Sequence, residues 1–268
     1  MRQVSFDLEL IKKRIQNLKN QAGSEQQEMQ NYRIACELCN DRGGFFTKRW
    51  NEELGYEYEA WIPCECSNQA KIRNLFKASR ISEEFQAKSF DNFILTGRPS
   101  SVHGAYECAR TYAANFDSIK DTRKNSIAIM GRPGSGKTHL LMAVANTLIN
   151  QRVPVMYFPW VEALNNLKDD FSKLDERIRQ MQTVPVLYID DLFKGRKMPT
   201  EFQLEQLFAV VNDRYLNKRP MLISSEKTMD EIIELDEGLG SRLAEMCMDY
   251  TVFMIGGREL NYRLREGA

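Results

Sequence analysis

Eight consecutive residues, Gly131-Arg132-Pro133-Gly134-Ser135-Gly136-Lys137-Thr138, fill every position of the pattern G-x-x-x-x-G-K-[ST]. An apolar run, Ile127 to Met130, precedes them and a helix-like run, His139 to Leu148, follows. Strand, glycine loop and helix in that order is the setting in which this pattern binds phosphate. Glycines let backbone N–H groups curl around an anion without Cβ clashes, and the helix start adds unsatisfied N–H groups and a positive dipole end. Lys137 is expected on the β- and γ-phosphates of ATP and the Thr138 hydroxyl on Mg2+. Gly131, Pro133, Gly134, Ser135, Gly136 and His139 complete the expected cradle.

A second group of residues suits the chemistry of the bound phosphates. The apolar run Val184 to Ile189 ends in Asp190-Asp191, a Walker B arrangement in which Asp190 orders Mg2+ and Asp191 orients or deprotonates the attacking water. Met221-Leu222-Ile223-Ser224-Ser225-Glu226 is another strand-like run, and the polar residues at its end would lie beside Asp190 in a parallel sheet, with Ser225 and Glu226 as candidate nucleotide contacts. Lys194-Gly195-Arg196-Lys197 follows the acids. Lys194, Arg196 and Lys197 could meet a DNA phosphate backbone or form a solvated loop. Gly238-Leu239-Gly240-Ser241 places Arg242 at the opening of a short helix, Leu243 to Met248. Arg242 is an ordinary surface charge or an arginine delivered to a neighbouring subunit's transition state.

Cysteines make a third group. Cys36 and Cys39 stand at C-x2-C spacing, and Cys64 and Cys66 at C-x-C spacing. Between them Asp41 to Gly44 reads as a turn, and Phe45 to Thr47 with Tyr56 to Ile62 as a hairpin. Four thiolates on two tight turns would hold structural Zn2+ tetrahedrally, with no open position for catalysis. The alternative is two pairs of unrelated buried thiols; Cys108 and Cys247 read as core cysteines.

These groups need elements to position them. Strand-like runs at Ile127–Met130, Val153–Phe158, Val184–Ile189, Met221–Glu226 and Tyr250–Ile255 alternate with helix-like stretches, among them Trp160 to Met181 with Leu164, Leu167, Phe171 and Leu174 on one side. Alternation of this kind predicts βαβ units and a five-stranded parallel sheet covered by helices. Thr200-x-x-Gln203 and Thr228-x-x-Glu231 are capping boxes that open two of those helices. Ahead of the sheet, Ser67 to Arg80 reads as a basic helix, a solvated linker or else a binder of DNA phosphates, and Phe85, Phe90 and Phe93 either approach the nucleotide base or pack in the core. Val4, Leu8, Ile11, Ile15 and Leu18 predict an amphipathic N-terminal helix that packs on its own protein or docks on a partner. Asn20 to Asn31, rich in Gln and Glu, reads as a linker.

The chain has 268 residues, 43% of them hydrophobic, with Lys+Arg 37 against Asp+Glu 37. It is long enough for one full domain and a smaller module, and any nucleic-acid contact must come from a local patch. No apolar run reaches the roughly 18 residues that span a bilayer, and no signal pattern opens the chain, so a cytoplasmic location without membrane partners is expected. Thiols in that compartment favour metal ligation over disulfides.

Taken in order, the cysteine module, Phe90-Asp91-Asn92-Phe93, Gly131 to Thr138, Leu187 to Leu192, Ile223 to Glu226 and Gly240-Ser241-Arg242 resemble the bacterial and phage replicative helicase loaders, the DnaC/DnaI-like branch of the AAA+ ATPases. The resemblance implies residues 1–80 as the helicase-binding part, gripping a DnaB-type hexameric helicase. It implies 81–268 as an AAA+ ATPase domain that hydrolyses ATP, forms a homo-oligomer on binding it, and engages single-stranded DNA. It aligns Ser225 and Glu226 with the sensor-1 segment, Arg242 with the arginine finger and Arg263 with sensor 2, and puts Asp191 where a catalytic Glu is usual. Three other functions share parts of this pattern. A small-molecule P-loop kinase would need an acceptor pocket and an arginine-rich lid. An IstB-like ATPase helper of a DNA transposase is close in the ATPase domain, and an ATP-gated adaptor would turn over negligibly.

Overall fold

The computed structural model describes residues 36–40, 42–52, 55–161, 174–195 and 198–264. The expected amphipathic helix and linker, Leu164, Leu167, Phe171, Arg196 and Lys197 all lie outside them. Close contacts divide the described residues into two compact units, one up to Ala70 and one from Lys71.

The first unit is a two-stranded antiparallel hairpin, β1 (Gly44–Asn51) and β2 (Tyr56–Pro63), with Gly44 opposite Pro63 and Asn51 opposite Tyr56. Both strands run longer than the sequence suggests, because aromatic pairs such as Phe46 across from Trp61, rings 4.9 Å apart, extend the ladder. Helix α1 (Glu65–Ser79) starts before the expected Ser67, so Cys66 lies in its first turn.

The second unit holds a five-stranded sheet of β3 (Ile127–Gly131), β4 (Val155–Pro159), β5 (Val186–Leu192), β6 (Met221–Ser225) and β7 (Thr251–Met254) in the order β4-β5-β6-β3-β7. Every pairing is parallel. Side chains alternate across this sheet. Ile127, Ile129, Val155, Tyr157, Val186, Tyr188 and Leu222 join a core that includes residues of α3 (Ser100–Ile119) and α4 (Lys137–Asn150). Ala128, Met130, Met156, Phe158, Leu187, Ile189 and Ile223 join another that includes residues of α6 (Glu201–Leu216), α7 (Met229–Leu235) and α8 (Glu237–Met246). Strand β3, paired on both edges with β6 and β7, is buried at every residue, as a sheet covered on both faces requires. Among the described residues the remaining α-helices are α2 (Glu83–Gln86) and α5 (Leu174–Thr183).

Both capping boxes form, at Thr200 with Gln203 and at Thr228 with Glu231. Two expectations are corrected. β5 begins at Val186 and runs one residue past the acids expected at its end, to Leu192. Helix α8 begins at Glu237, because the Asp236 side chain accepts from the Leu239 N–H at 2.7 Å and caps it. Arg242 is therefore in the second turn, not at the opening. Gly240 is required there: a Cβ would lie 2.5 Å from the Ile233 Cα.

Candidate nucleotide-binding site

The loop between β3 and α4 turns through three left-handed glycines, Gly131 (φ 144), Gly134 (φ 74) and Gly136 (φ 106). At Gly136 a Cβ would lie 2.8 Å from the Phe93 ring, so glycine is needed both for conformation and for space. Lys137 is 4% exposed, and its ammonium donates to the carbonyls of Gly131 (2.8 Å) and Arg132 (3.1 Å). Burial pulls its pKa below the usual lysine value, against the opposing pull of Asp191 and Glu226.

The carboxylate of Asp190 is 5% exposed and collects four hydroxyl donors. Ser224 Oγ (2.5 Å), Tyr188 Oη (2.9 Å) and Thr138 Oγ1 (3.1 Å) meet Oδ1, while Tyr157 Oη (3.0 Å) meets Oδ2. Burial raises its pKa, and the hydroxyls of Ser224, Tyr188 and Tyr157 hold it back. A hydroxyl and a carboxylate in contact at the start of a phosphate-loop helix form an all-oxygen donor set of the kind that suits Mg2+.

Around these groups opens a cavity of ≈ 720 Å³. Pro133, Gly134, Gly136, Lys137, Thr138 and His139 line it. Asp190, Asp191, Lys194 and Arg263 do too. Gly131, Ser135, Ser225, Glu226 and Arg242 are not part of its wall. Ser225 is fully buried and donates to the Leu192 carbonyl at 2.9 Å, so its neighbour Ser224 is the β6 hydroxyl that reaches Asp190. Arg242 is committed within its own chain: it donates to Asn212 Oδ1 (3.0 Å) and the Gly238 carbonyl (2.6 Å) and lies over the Phe208 and Tyr215 rings.

The segment before α3 covers one side of the loop. Asn146 of α4 donates to the carbonyls of Phe85 (2.9 Å), Gln86 (3.1 Å) and Lys88 (2.8 Å), and His139 Nε2 meets the Ser89 carbonyl at 3.0 Å and Asn92 Oδ1 at 2.9 Å. Burial lowers the His139 pKa. Phe85 and Phe93 both line the cavity and pack in the core, whereas Phe90 packs on Tyr106 outside the cavity wall. The chain beyond β7 covers the other side. The Tyr262 N–H donates to the Gly134 carbonyl at 2.9 Å. Arg98 joins both coverings, donating to the carbonyls of Ser135 (2.6 Å) and Leu260 (3.2 Å) and lying over the Phe93 and Tyr262 rings.

Tyr157, Tyr188 and Arg98 were not singled out by sequence reasoning, and Ser224 only as one of the polar residues at the end of its strand. Tyr188 had a signal, since it precedes Asp190 by two residues and a strand returns to the same face with that period. Arg98 had none.

In the hairpin unit, the Sγ atoms of Cys36, Cys39, Cys64 and Cys66 all lie within 4.8 Å of one another. Cys36 and Cys64 are 3.6 Å apart, and Cys39 and Cys66 3.2 Å. Zn–S bonds of about 2.3 Å put tetrahedral sulfurs about 3.8 Å apart, so the four thiols suit that ion. The Cys66 thiol brings Cys39 down to about 7, which favours a thiolate within the cluster.

The family profile of the bacterial DnaA ATPase domain matches residues 85–248. The phage-like element PBSX protein XkdC of Bacillus subtilis is 44% identical over 87% of this chain and 87% of its own. YqaM of the same organism, an uncharacterized protein, is 51% identical over 75% of this chain and 66% of its own length. Among solved structures, the DnaC helicase loader superposes with a TM-score of 0.55 at 22% identity, covering 65% of this chain and 100% of that one. The last likeness is one of fold.

Proposed function

The chain belongs to the bacterial DnaA ATPase-domain family of AAA+ ATPases, and from that premise we propose that it is an ATP-dependent replicative helicase loader. In this reading it binds a DnaB-type hexameric helicase through the cysteine module and delivers it to single-stranded DNA. The carrying observation is the joining, in one chain, of a nucleotide cavity built around Lys137, Thr138 and Asp190 to a separate four-thiol unit. A loader needs both an energy-coupled switch and a grip. The likeness to the fold of the DnaC helicase loader supports the assignment.

Lys137 would leave its two carbonyls for the β- and γ-phosphates, and Thr138 with Asp190 would hold Mg2+, which neutralises phosphate charge when bound. The hydroxyls of Tyr157, Tyr188 and Ser224 keep Asp190 in one orientation, and Asp191 would orient the attacking water. Arg242 would act on a neighbouring copy after ATP-dependent assembly, exchanging its bonds to Asn212 and Gly238 for a phosphate. Cys36, Cys39, Cys64 and Cys66 would hold Zn2+ as a purely structural ion.

The test is co-elution with a DnaB-type helicase, with and without ATP, comparing the full chain with a fragment that begins near Ile81. Binding by the full chain alone is the expected result. Failure of both to bind would move the assignment to the transposase-helper class, where DNA-stimulated ATP turnover is the next measurement.

A further inference from the structure

Strand β5 slips against β6 at the two acids. Ile189 pairs with Ile223 and Leu192 with Ser225, so Asp190 and Asp191 together face the single residue Ser224. An extra residue of this kind makes a bulge that re-aims a side chain. Asp190 stays inside its four hydroxyls, while Asp191 takes a left-handed φ of 55 and its N–H is pinned to Ser224 Oγ at 2.7 Å. The chain then turns back on itself. Phe193 is also left-handed (φ 61), and the Lys194 N–H donates to the Asp191 carbonyl at 3.0 Å. That turn lays the Lys194 ammonium on Asp191 Oδ2 at 2.7 Å and within 3.7 Å of Glu226 Oε1. Glu226 Oε1 is buried and has no hydrogen-bond partner among the described residues, so the lysine's field reaches it too.

We propose that Lys194 is a positioning residue that latches Asp191 in cis, holding its carboxylate on the ammonium and so withholding it from the attacking water. The inference rests on the reading of Asp191 as the acid that orients that water. A carboxylate orients or accepts through its oxygen lone pairs, and an ammonium at hydrogen-bond distance occupies one and fixes the group's rotation. Asp191 and Lys194 both line the nucleotide cavity, so the latch sits in the same wall as Lys137, Thr138 and Asp190. Its grip is modest, because the Lys194 side chain is 41% exposed and solvent screens the pair. Turnover by the resting protein is accordingly restrained, not abolished.

The experiment measures steady-state ATP turnover and fluorescent-nucleotide affinity for the full chain carrying Lys194→Met, Lys194→Arg, Asp191→Asn, or Lys194→Met with Asp191→Asn. Lys194→Met should raise kcat about two- to fivefold with nucleotide affinity unchanged, a size set by an exposed ion pair. Lys194→Arg, which keeps the cation, should rise less, and the double variant should be as inactive as Asp191→Asn. A lowered kcat or weakened affinity in Lys194→Met would overturn the latch and make Lys194 a phosphate ligand. An unchanged kcat in Lys194→Met, with Asp191→Asn inactive, removes the latch and leaves Asp191 in its role. Full turnover by Asp191→Asn removes both.

Discussion

The hairpin unit and the ATPase unit are ordered by different physics. Among the described residues up to Ala70, the buried side chains are those of Cys39 and Cys64, while Phe46, Trp50 and Trp61 stand 65%, 62% and 47% exposed. In the ATPase unit whole strands are buried, β3 and β6 at every residue. Hydrophobic burial near 25 cal/mol per Å² can hold the second together but has almost nothing to act on in the first. A fold whose buried side chains are two of four clustered thiols is held by its hairpin ladder and by that cluster, not by an apolar core.

The largest expected effect breaks the two regions apart. Chelation, or Cys39→Ser, should collapse the hairpin while the ATPase unit keeps its melting transition, because structural zinc contributes on the order of 10 kcal/mol to a small module. Trp50 and Trp61 fluorescence would follow the hairpin, and nucleotide binding would report the rest. If both units melt together, the ion is not a local support. Next in size is Arg214, fully buried and donating to the carbonyls of Met181, Val184, Pro185 and Pro220. Arg214→Met should cost about 3–5 kcal/mol in denaturant unfolding of the ATPase unit alone, since it leaves those carbonyls without a donor.

Lys137→Ala should weaken ATP binding by at least about 100-fold, roughly 2.7 kcal/mol, with helicase co-elution without nucleotide unchanged. Arg242→Ala should keep nucleotide binding and lose hydrolysis and ATP-dependent assembly; full ATP turnover by that variant would sink the finger assignment. Its lost contacts to Asn212, Phe208 and Tyr215 add a stability cost of about 1 kcal/mol. Smallest is the exposed Lys48–Glu57 pair across the hairpin, 3.3 Å apart. Its removal should shift the hairpin by less than about 0.5 kcal/mol.

Much of the ATPase unit was legible because its signals are local. The glycine pattern fixes backbone conformation residue by residue, the two capping boxes name their own helix starts, and apolar runs bounded by turns locate the strands. What escaped depends on register between strands far apart in sequence. The exchange of Ser225 for Ser224 at Asp190 follows from the slip of β5 against β6, which no single run of residues encodes. Arg98 reads as one more charge until Ser135 and Leu260 are brought beside it. In the hairpin unit the cysteine spacing announced the cluster, but the exposure of Phe46, Trp50 and Trp61 could not be read from an alternation in which both faces carry aromatic residues.

Strand β7, the latest in the chain among the described residues, is hydrogen-bonded to β3, and the turn beyond it donates from Tyr262 to Gly134. Translation delivers the phosphate loop, already flanked by the segment before α3, long before the covering beyond β7, and pairings so distant in sequence form slowly. A nascent chain still on the ribosome carries Gly131 to Thr138 with one flank open until residue 262 has emerged. Prematurely terminated products would keep the loop's full motif yet lack that cover.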